Sequence, residues 1–172
     1  MFMQDLTQRL AAVCDTRIRF NLHRLFEPVV ERFRTVALAN STAVIKAGGS
    51  ALAKTGAAVS VFSVKGNLVS VAAGTDLAAL SGTVTNAAFN VYVWYIDGAG
   101  ALTSVMGTEA ATLAAVTWPK MDAQKAIMGF VIINPTGTGN FVGGTTVLDD
   151  ATVVPNAVYV SPTGMWDPTS RI

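Results

Sequence analysis

The chain changes its hydrophobic period near Asn40. Before that point apolar side chains fall at Leu6, Leu10, Val13, Ile18, Leu22, Leu25, Val29, Phe33 and Val36, with gaps mostly of three or four. Such gaps stack side chains on one face of an α-helix. Asp5 suits an N-cap and Asn40 a C-terminal stop. Pro28 has no amide hydrogen and its ring clashes with the carbonyl of Arg24. The pattern therefore predicts two helices, over 5–26 and 28–39. An amphipathic arm of this kind needs a surface to lie on, because short isolated helices are marginal in water.

After Ser41 the texture becomes that of strands. Candidate strands are Ala43–Ala47, Ala57–Val64, Leu68–Ala73, Ala88–Ile96, Ala101–Met106, Ala126–Ile133, Thr145–Leu148 and Ala157–Val160. Turn residues separate them at Lys65-Gly66-Asn67, Gly74-Thr75-Asp76 and Asp97-Gly98-Ala99-Gly100. The last of these reads as the bend of a hairpin. The stretch Gly107–Val116 reads either as a short helix or as an irregular crossover. The fold class expected is mainly β: an antiparallel β-sandwich or barrel-like domain over 41–160. A helical arm over 1–40 precedes it and an extended tail over 161–172 follows.

Two long strands are the informative ones. In one, Phe89, Val91, Val93 and Tyr95 share a face, and Asn90, Tyr92, Trp94 and Ile96 share the other. In the second, strict alternation groups Ile127, Val131 and Ile133 against Met128, Phe130 and Ile132. Antiparallel sheets usually turn one polar face to water. Here both faces are mostly apolar, so something must cover the second. Sister chains are the economical cover, with Tyr92, Trp94, Phe130 and Phe141 as the packing residues between subunits; the N-terminal arm is the other candidate.

Composition sharpens this picture. Of 172 residues 51% are hydrophobic and only 13% charged, against roughly 25% charged in an average soluble domain. No apolar run approaches the roughly 20 residues of a membrane-spanning helix. Asp5, Arg9 and Asp15 interrupt the first apolar stretch, so neither a signal peptide nor a membrane partner is expected. An obligate oligomer accounts for the surplus of apolar residues. The net charge of +1 gives no reason to expect nucleic acid as a partner. Residues 1–40 hold six arginines against four acids, a mixture that suits a protein surface better than a phosphate backbone. The lone Cys14 excludes an internal disulfide.

The search for chemistry turns on NPTGTGNFVGGTTVLDD, Asn134 to Asp150. A phosphate-binding loop requires G-x-x-x-x-G-K-[ST] followed by a helix. Gly139 to Thr146 has the glycines but no lysine, and it leads into Val147-Leu148, which reads as strand. Turns are the expected use of these glycines. His23 has no partner at metal or catalytic spacing, and Asp149-Asp150 lacks the alternation of a calcium loop. Capping and turn formation are the expected roles of the aspartates. No cofactor, metal or catalytic residue is expected.

The order of motifs nevertheless resembles a known group. G-T-D-x-x-x-L-x-G at Gly74–Gly82, F-N-V-Y at Phe89–Tyr92, GFVIINPTGTGNFVGGTTVLDD at Gly129–Asp150 and NAVYV at Asn156–Val160 are similar to segments of tailed-bacteriophage virion proteins of the head fibre or capsid decoration (cement) type. The resemblance covers about Thr42 to Trp166, with FVGGTT-x-L-D its most specific piece. It implies a non-enzymatic homo-oligomer, a trimer, on the capsid exterior, assembled in the host cytoplasm and bound to the major capsid protein. The residues expected to dock on the capsid are Leu22, Leu25, Phe26 and Phe33, with Arg17, Arg24 and Arg32 as polar contacts. The alternative is a tail-associated fibre or receptor-binding module that takes host-surface glycan through Trp94, Tyr95, Trp118 or Trp166.

Overall fold

The structure, a computed structural model, describes residues 35–39, 45–46, 48–122 and 124–163. The chain divides into two units, 1–33 and 34–172, and all the described residues belong to the second. They are mainly β. In chain order the strands are β1 (Val36–Ala39), β2 (Ile45–Lys46), β3 (Ala53–Lys54), β4 (Ser60–Val64), β5 (Asn67–Val71), β6 (Thr83–Val84), β7 (Asn90–Asp97), β8 (Leu102–Met106), β9 (Lys125–Ile133), β10 (Phe141–Val142) and β11 (Val158–Val160). All pairings between these strands are antiparallel.

Two sheets form the framework. One has the order β11-β9-β7-β8 and the other β1-β4-β5, with two-stranded ribbons β10-β6 and β2-β3 beside them. The hairpin expected at Asp97–Gly100 joins β7 to β8. Its bend is held by Asp97, whose carboxylate accepts from the amides of Ala99 and Ala101, each at 2.9 Å. Those two bonds, Ala101 first, hold its pKa below the usual carboxylate range. The β4–β5 hairpin turns on Lys65 and Gly66, both with positive φ (53° and 83°), the backbone of a type I′ turn.

Strict alternation misassigns the faces of β9, and the reason is a bulge. Trp94 pairs with Gly129 but the next residue, Tyr95, pairs with Ile127, so Met128 is the extra residue. One inserted residue reverses the parity of everything beyond it. Ile127 therefore shares a face with Phe130 and Ile132, not with Val131 and Ile133. Met128 joins Val131 and Ile133 on the opposite side.

That opposite side looks into the main core. Tyr92, Trp94, Ile96, Met128, Val131 and Ile133 pack there with Phe62, Val64 and Val71 of the three-stranded sheet, with Phe141 of β10 and with Leu80 and Leu148 from the loops. Tyr92, Trp94 and Phe141 are 0% exposed and Phe130 is 7% exposed within this one chain. These four were expected between subunits; they are instead interior residues of the domain. The physical reason is that the loops fold back far enough to close over the sheet.

The second face has its own cover. Val91, Val93, Tyr95, Ile127 and Phe130 form a separate buried cluster, against which Ala110, Trp118 and Met121 of the β8–β9 connection pack. That connection contains the ambiguous stretch Gly107–Val116, and it is an irregular crossover with one 3₁₀ turn at Leu113–Ala115. It is pinned where it leaves β8: Gly107 donates to Val91 O at 2.8 Å, and Phe89 and Ala110 exchange backbone bonds of 2.8 and 3.0 Å. Gly107 is required at this spot, since a Cβ would stand 2.6 Å from Thr117 O.

Two further expectations are corrected. Val36–Ala39, read as the end of a second helix, is strand β1; Ala37 is buried opposite Phe62 and Leu38 faces outward. A Val-Ala-Leu-Ala run satisfies either period, and pairing with β4 decides it. Thr145–Leu148, read as strand, is a turn: the amides of Thr145 and Thr146 both donate to Val142 O, at 3.1 and 2.8 Å. The strand of that region is β10. The helix expected over 5–26, the part of the 28–39 helix before residue 35, and the tail beyond 163 lie outside the described residues.

Candidate functional site

The glycine-rich run is where a ligand site was to be sought, and its geometry is built from the glycines outward. Gly137 passes so close to Thr152 that a Cβ would collide with its carbonyl oxygen, and Thr138 donates to that same oxygen at 2.6 Å. Gly143 lies against the chain at Leu80 and Ser81: a Cβ would stand 2.8 Å from Ser81 N and 2.9 Å from the Leu80 carbonyl carbon. Its amide donates to Gly82 O at 2.8 Å. Gly144 adopts a φ of 73°, which L side chains resist. These glycines allow two backbones to touch.

Gly137 meets the chain at Thr152, whereas Gly143 and Gly144 meet the end of the Gly74–Gly82 stretch, at Leu80 to Gly82. Two of the stretches singled out in the sequence, Gly74–Gly82 and Phe141–Asp149, are thus packed against one another. β10 and β6 continue the contact as a ladder, with Phe141 opposite Val84. Beyond it stands a polar clamp. The Asn86 amide donates to Asn140 Oδ1 at 2.9 Å, and Asn86 Nδ2 donates to Gly137 O and Gly139 O, each at 2.9 Å. On the other side Glu109 accepts from the Thr85 amide and hydroxyl, both at 2.9 Å.

A phosphate cradle needs amides directed at empty space. Here the amides of Thr138, Val142, Gly143, Thr145, Thr146 and Leu148 are all donated within the protein. The turn reading of this run is the one its hydrogen bonds support. The two aspartates at its end also serve the backbone. Asp149 accepts from the Gly49 amide at 3.2 and 3.0 Å. Asp150 caps the next turn through the hydroxyl and amide of Thr152, in that order the largest causes of its lowered pKa. Among the described residues no group of three or more His, Cys, Asp or Glu could hold a metal ion.

The aromatic residues proposed for glycan are placed as follows. Trp94 is buried and its indole donates to Ala78 O at 2.8 Å, and Tyr95 is buried on the second face. Trp118 is partly buried edge-on to Phe130, with centroids 4.9 Å apart. Trp166 lies outside the described residues, as do Arg17, Leu22, Arg24, Leu25, Phe26, Arg32 and Phe33, together with Cys14 and His23. Of the four residues expected between subunits, Tyr92 and Phe141 meet edge-on at 5.8 Å. Trp94 shares their cluster and Phe130 stands on the other face.

One buried polar atom stands out. The Tyr92 hydroxyl has no hydrogen-bond partner, and burial, helped by the charge of Glu109, pushes its pKa up to about 12. No sequence signal marks it, because a Tyr in a strand reads as packing. Asn86 and Glu109 also escape a reading by motif, since their partners are distant in the chain. Their one local hint is position: each flanks a turn beside a glycine segment.

The surface offers apolar area of a different kind. The outward side of β1 and β5 carries Leu38 and Leu68, exposed by 54% and 74%, and Val59, 54% exposed, immediately precedes β4. Val61 and Ser63 stand between them on β4, and Ser70 follows on β5. None of these residues is charged.

Comparison with known protein families, with curated proteins and with solved structures finds no match to this chain.

Proposed function

We propose that this chain is a structural protein of a tailed-bacteriophage particle, a capsid decoration or head fibre protein that binds the major capsid protein as a homo-oligomer, a trimer by the resemblance. The observation that carries the reading is the contact between the Gly74–Gly82 and Phe141–Asp149 stretches. Of the motifs by which the chain resembles such proteins, these two close the core over the four-stranded sheet and the others lie in its strands. They are shape determinants, as expected of a protein whose work is to present a fixed surface. The uncharged outward side of β1, β4 and β5 supports a role in contact with other protein.

In this reading the β-domain, of sandwich or barrel-like form, sits on the capsid exterior, and a helical arm attaches it. Arg17, Leu22, Arg24, Leu25, Phe26, Arg32 and Phe33 make the docking contacts. Catalysis plays no part. The receptor-binding alternative has less support, because Trp94 and Tyr95 are buried.

The test is an arm deletion, and the fold sets where it must stop. Removing residues 1–40 would also remove β1, so the deletion ends at residue 33. Purified full-length and 34–172 proteins are added to particles stripped of bound accessory proteins, and bound copies are counted after sedimentation. Full occupancy by the full-length chain and loss on deletion are expected; binding by neither, or glycan-dependent cell binding, overturns the proposal.

A further inference from the structure

An unguarded edge bounds the four-stranded sheet at β8. The backbone bonds of Asp97 with Ala101 and of Gly107 with Val91 fix the phase of the β7–β8 ladder. Counting from them, Thr103 and Val105 direct their amides and carbonyls at β7, because bonded and non-bonded pairs alternate. Leu102, Ser104 and Met106 direct theirs outward. Among the described residues these outward backbone groups have no hydrogen-bond partner. Natural edges are blunted by Lys, Pro or inward charges. The β8 sequence LTSVM has none of these. The other edge strand of comparable length, β5, differs in that the side chains of Asn67 and Val69 lie against the hairpin tip at Gly98 and Gly100.

We infer that β8 is a self-pairing edge, joining two copies of this chain antiparallel about a two-fold axis at Ser104. The strand is complementary to itself in this register. Ser104 faces Ser104 of the second copy, and Leu102 faces Met106, so every outward amide meets an outward carbonyl. Side chains agree as well. Leu102 meets Met106 on the core side of the sheet, where both already pack against the main cluster. Val105, 43% exposed, meets Thr103 on the other side. No β8 side chain is charged; the nearby cation is Lys125, whose ammonium donates to Thr103 Oγ1 at 3.3 Å. Two four-stranded sheets become one of eight. A second copy is favoured over a foreign peptide because the strand supplies its own donors, acceptors and uncharged side chains in matching positions. An edge contact is small beside the roughly 800 Å² per partner of a stable complex, so the pairing depends on concentration or on other contacts between the same molecules. The inference stands on β8 alone and does not need the virion reading.

Disulfide capture tests it. In chains also carrying Cys14→Ser, Thr103→Cys and Val105→Cys are made separately. Across the two-fold, position 103 faces 105 in a non-bonded pair, with Cα atoms about 4.5 Å apart, inside the range a disulfide spans. Position 103 faces its own copy only on a diagonal of about 7–8 Å. Mild oxidation of the mixture is expected to give a covalent dimer, and oxidation of either variant alone is not. No dimer, or equal dimer in the single variants, overturns the inference. In parallel, Val105→Lys places a cation on each strand beside the axis and is expected to weaken association about tenfold by light scattering. A mass that Val105→Lys leaves unchanged at every concentration also overturns it.

Discussion

The outward side of β1, β4 and β5 and the middle of the second face of the four-stranded sheet begin alike: both are rich in valine and leucine or isoleucine, and charge enters the second face only at its end, with Asp97 and Lys125. They end differently. Val91 and Val93 on the second face are 0% exposed, whereas Leu68 on the outward side is 74% exposed. What separates them is the length of the connection. β8 and β9 are joined by the stretch 107–124, long enough to return across the sheet and lay Val116, Trp118 and Met121 on it. β4 and β5 are joined by Lys65 and Gly66 alone, which can only reverse direction. An apolar face is thus not by itself a sign of a missing partner; the chain's own connections must be counted first.

One charge placed on each side separates the two regions most widely. Val93→Asp would bury a carboxylate with no cation beside it, and a loss of about 3–5 kcal/mol is expected, read as a drop in the urea midpoint. If the loss is small, the second face is wetter than its cluster implies.

A nearly equal effect comes from alkali on the first face. Tyr92 is held neutral by burial, with a pKa pushed up to about 12 against 10 for the unfolded chain. Between those values the unfolded state binds fewer protons than the folded one, so stability falls as pH rises from about 10 to 12. Two units correspond to roughly 3 kcal/mol. Tyr159 is displaced in the same direction, by burial first and Asp149 second, and adds to the alkaline loss. Tyr92→Phe removes a hydroxyl with no partner and is expected to keep full stability at pH 7 while flattening the alkaline limb. A variant that unfolds with the wild-type pH profile would show that another group controls the transition.

Trp118→Ala uncovers part of the second face. The indole meets Phe130 edge-on at 4.9 Å but is only partly buried. About 2 kcal/mol is expected from lost area and the aromatic contact together, with Phe130 then open to an apolar dye. Unchanged stability would mean that the crossover merely lies near the sheet without holding it.

These numbers also mark what could be read from residues alone. The β texture, the hairpin at Asp97–Gly100 and the turn use of the glycine run were legible, because period-two patterning and turn residues act locally. The faces of β9 were not, because the bulge at Met128 is set by pairing with β7 and leaves no trace in KAIMGFVII itself. The fate of Tyr92, Trp94, Phe130 and Phe141 was missed for a related reason. Patterning shows that a side chain avoids water, but not whether the covering atoms come from the same chain. Among them only Phe141 had a local clue, sitting inside a glycine run that lets the backbone close over a core. The clamp of Asn86, Asn140, Thr85 and Glu109 depends on partners far apart in sequence and could not be inferred from spacing.

The smallest expected effect is the most telling about the outward side. Leu68 stands on β5 opposite Ser63, on the face away from the core. Replacing it with Asp exposes no cavity, strands no buried charge and leaves the β4–β5 ladder intact, since backbone bonds do not depend on the side chain. A change within about 0.5 kcal/mol is therefore expected, against the loss of several for Val93→Asp. Should Leu68→Asp cost as much as Val93→Asp, and should that cost grow with protein concentration, the outward side is covered in solution by other copies. A large cost at every concentration would instead mean that the chain itself covers Leu68, and the contrast drawn from connection length would fail.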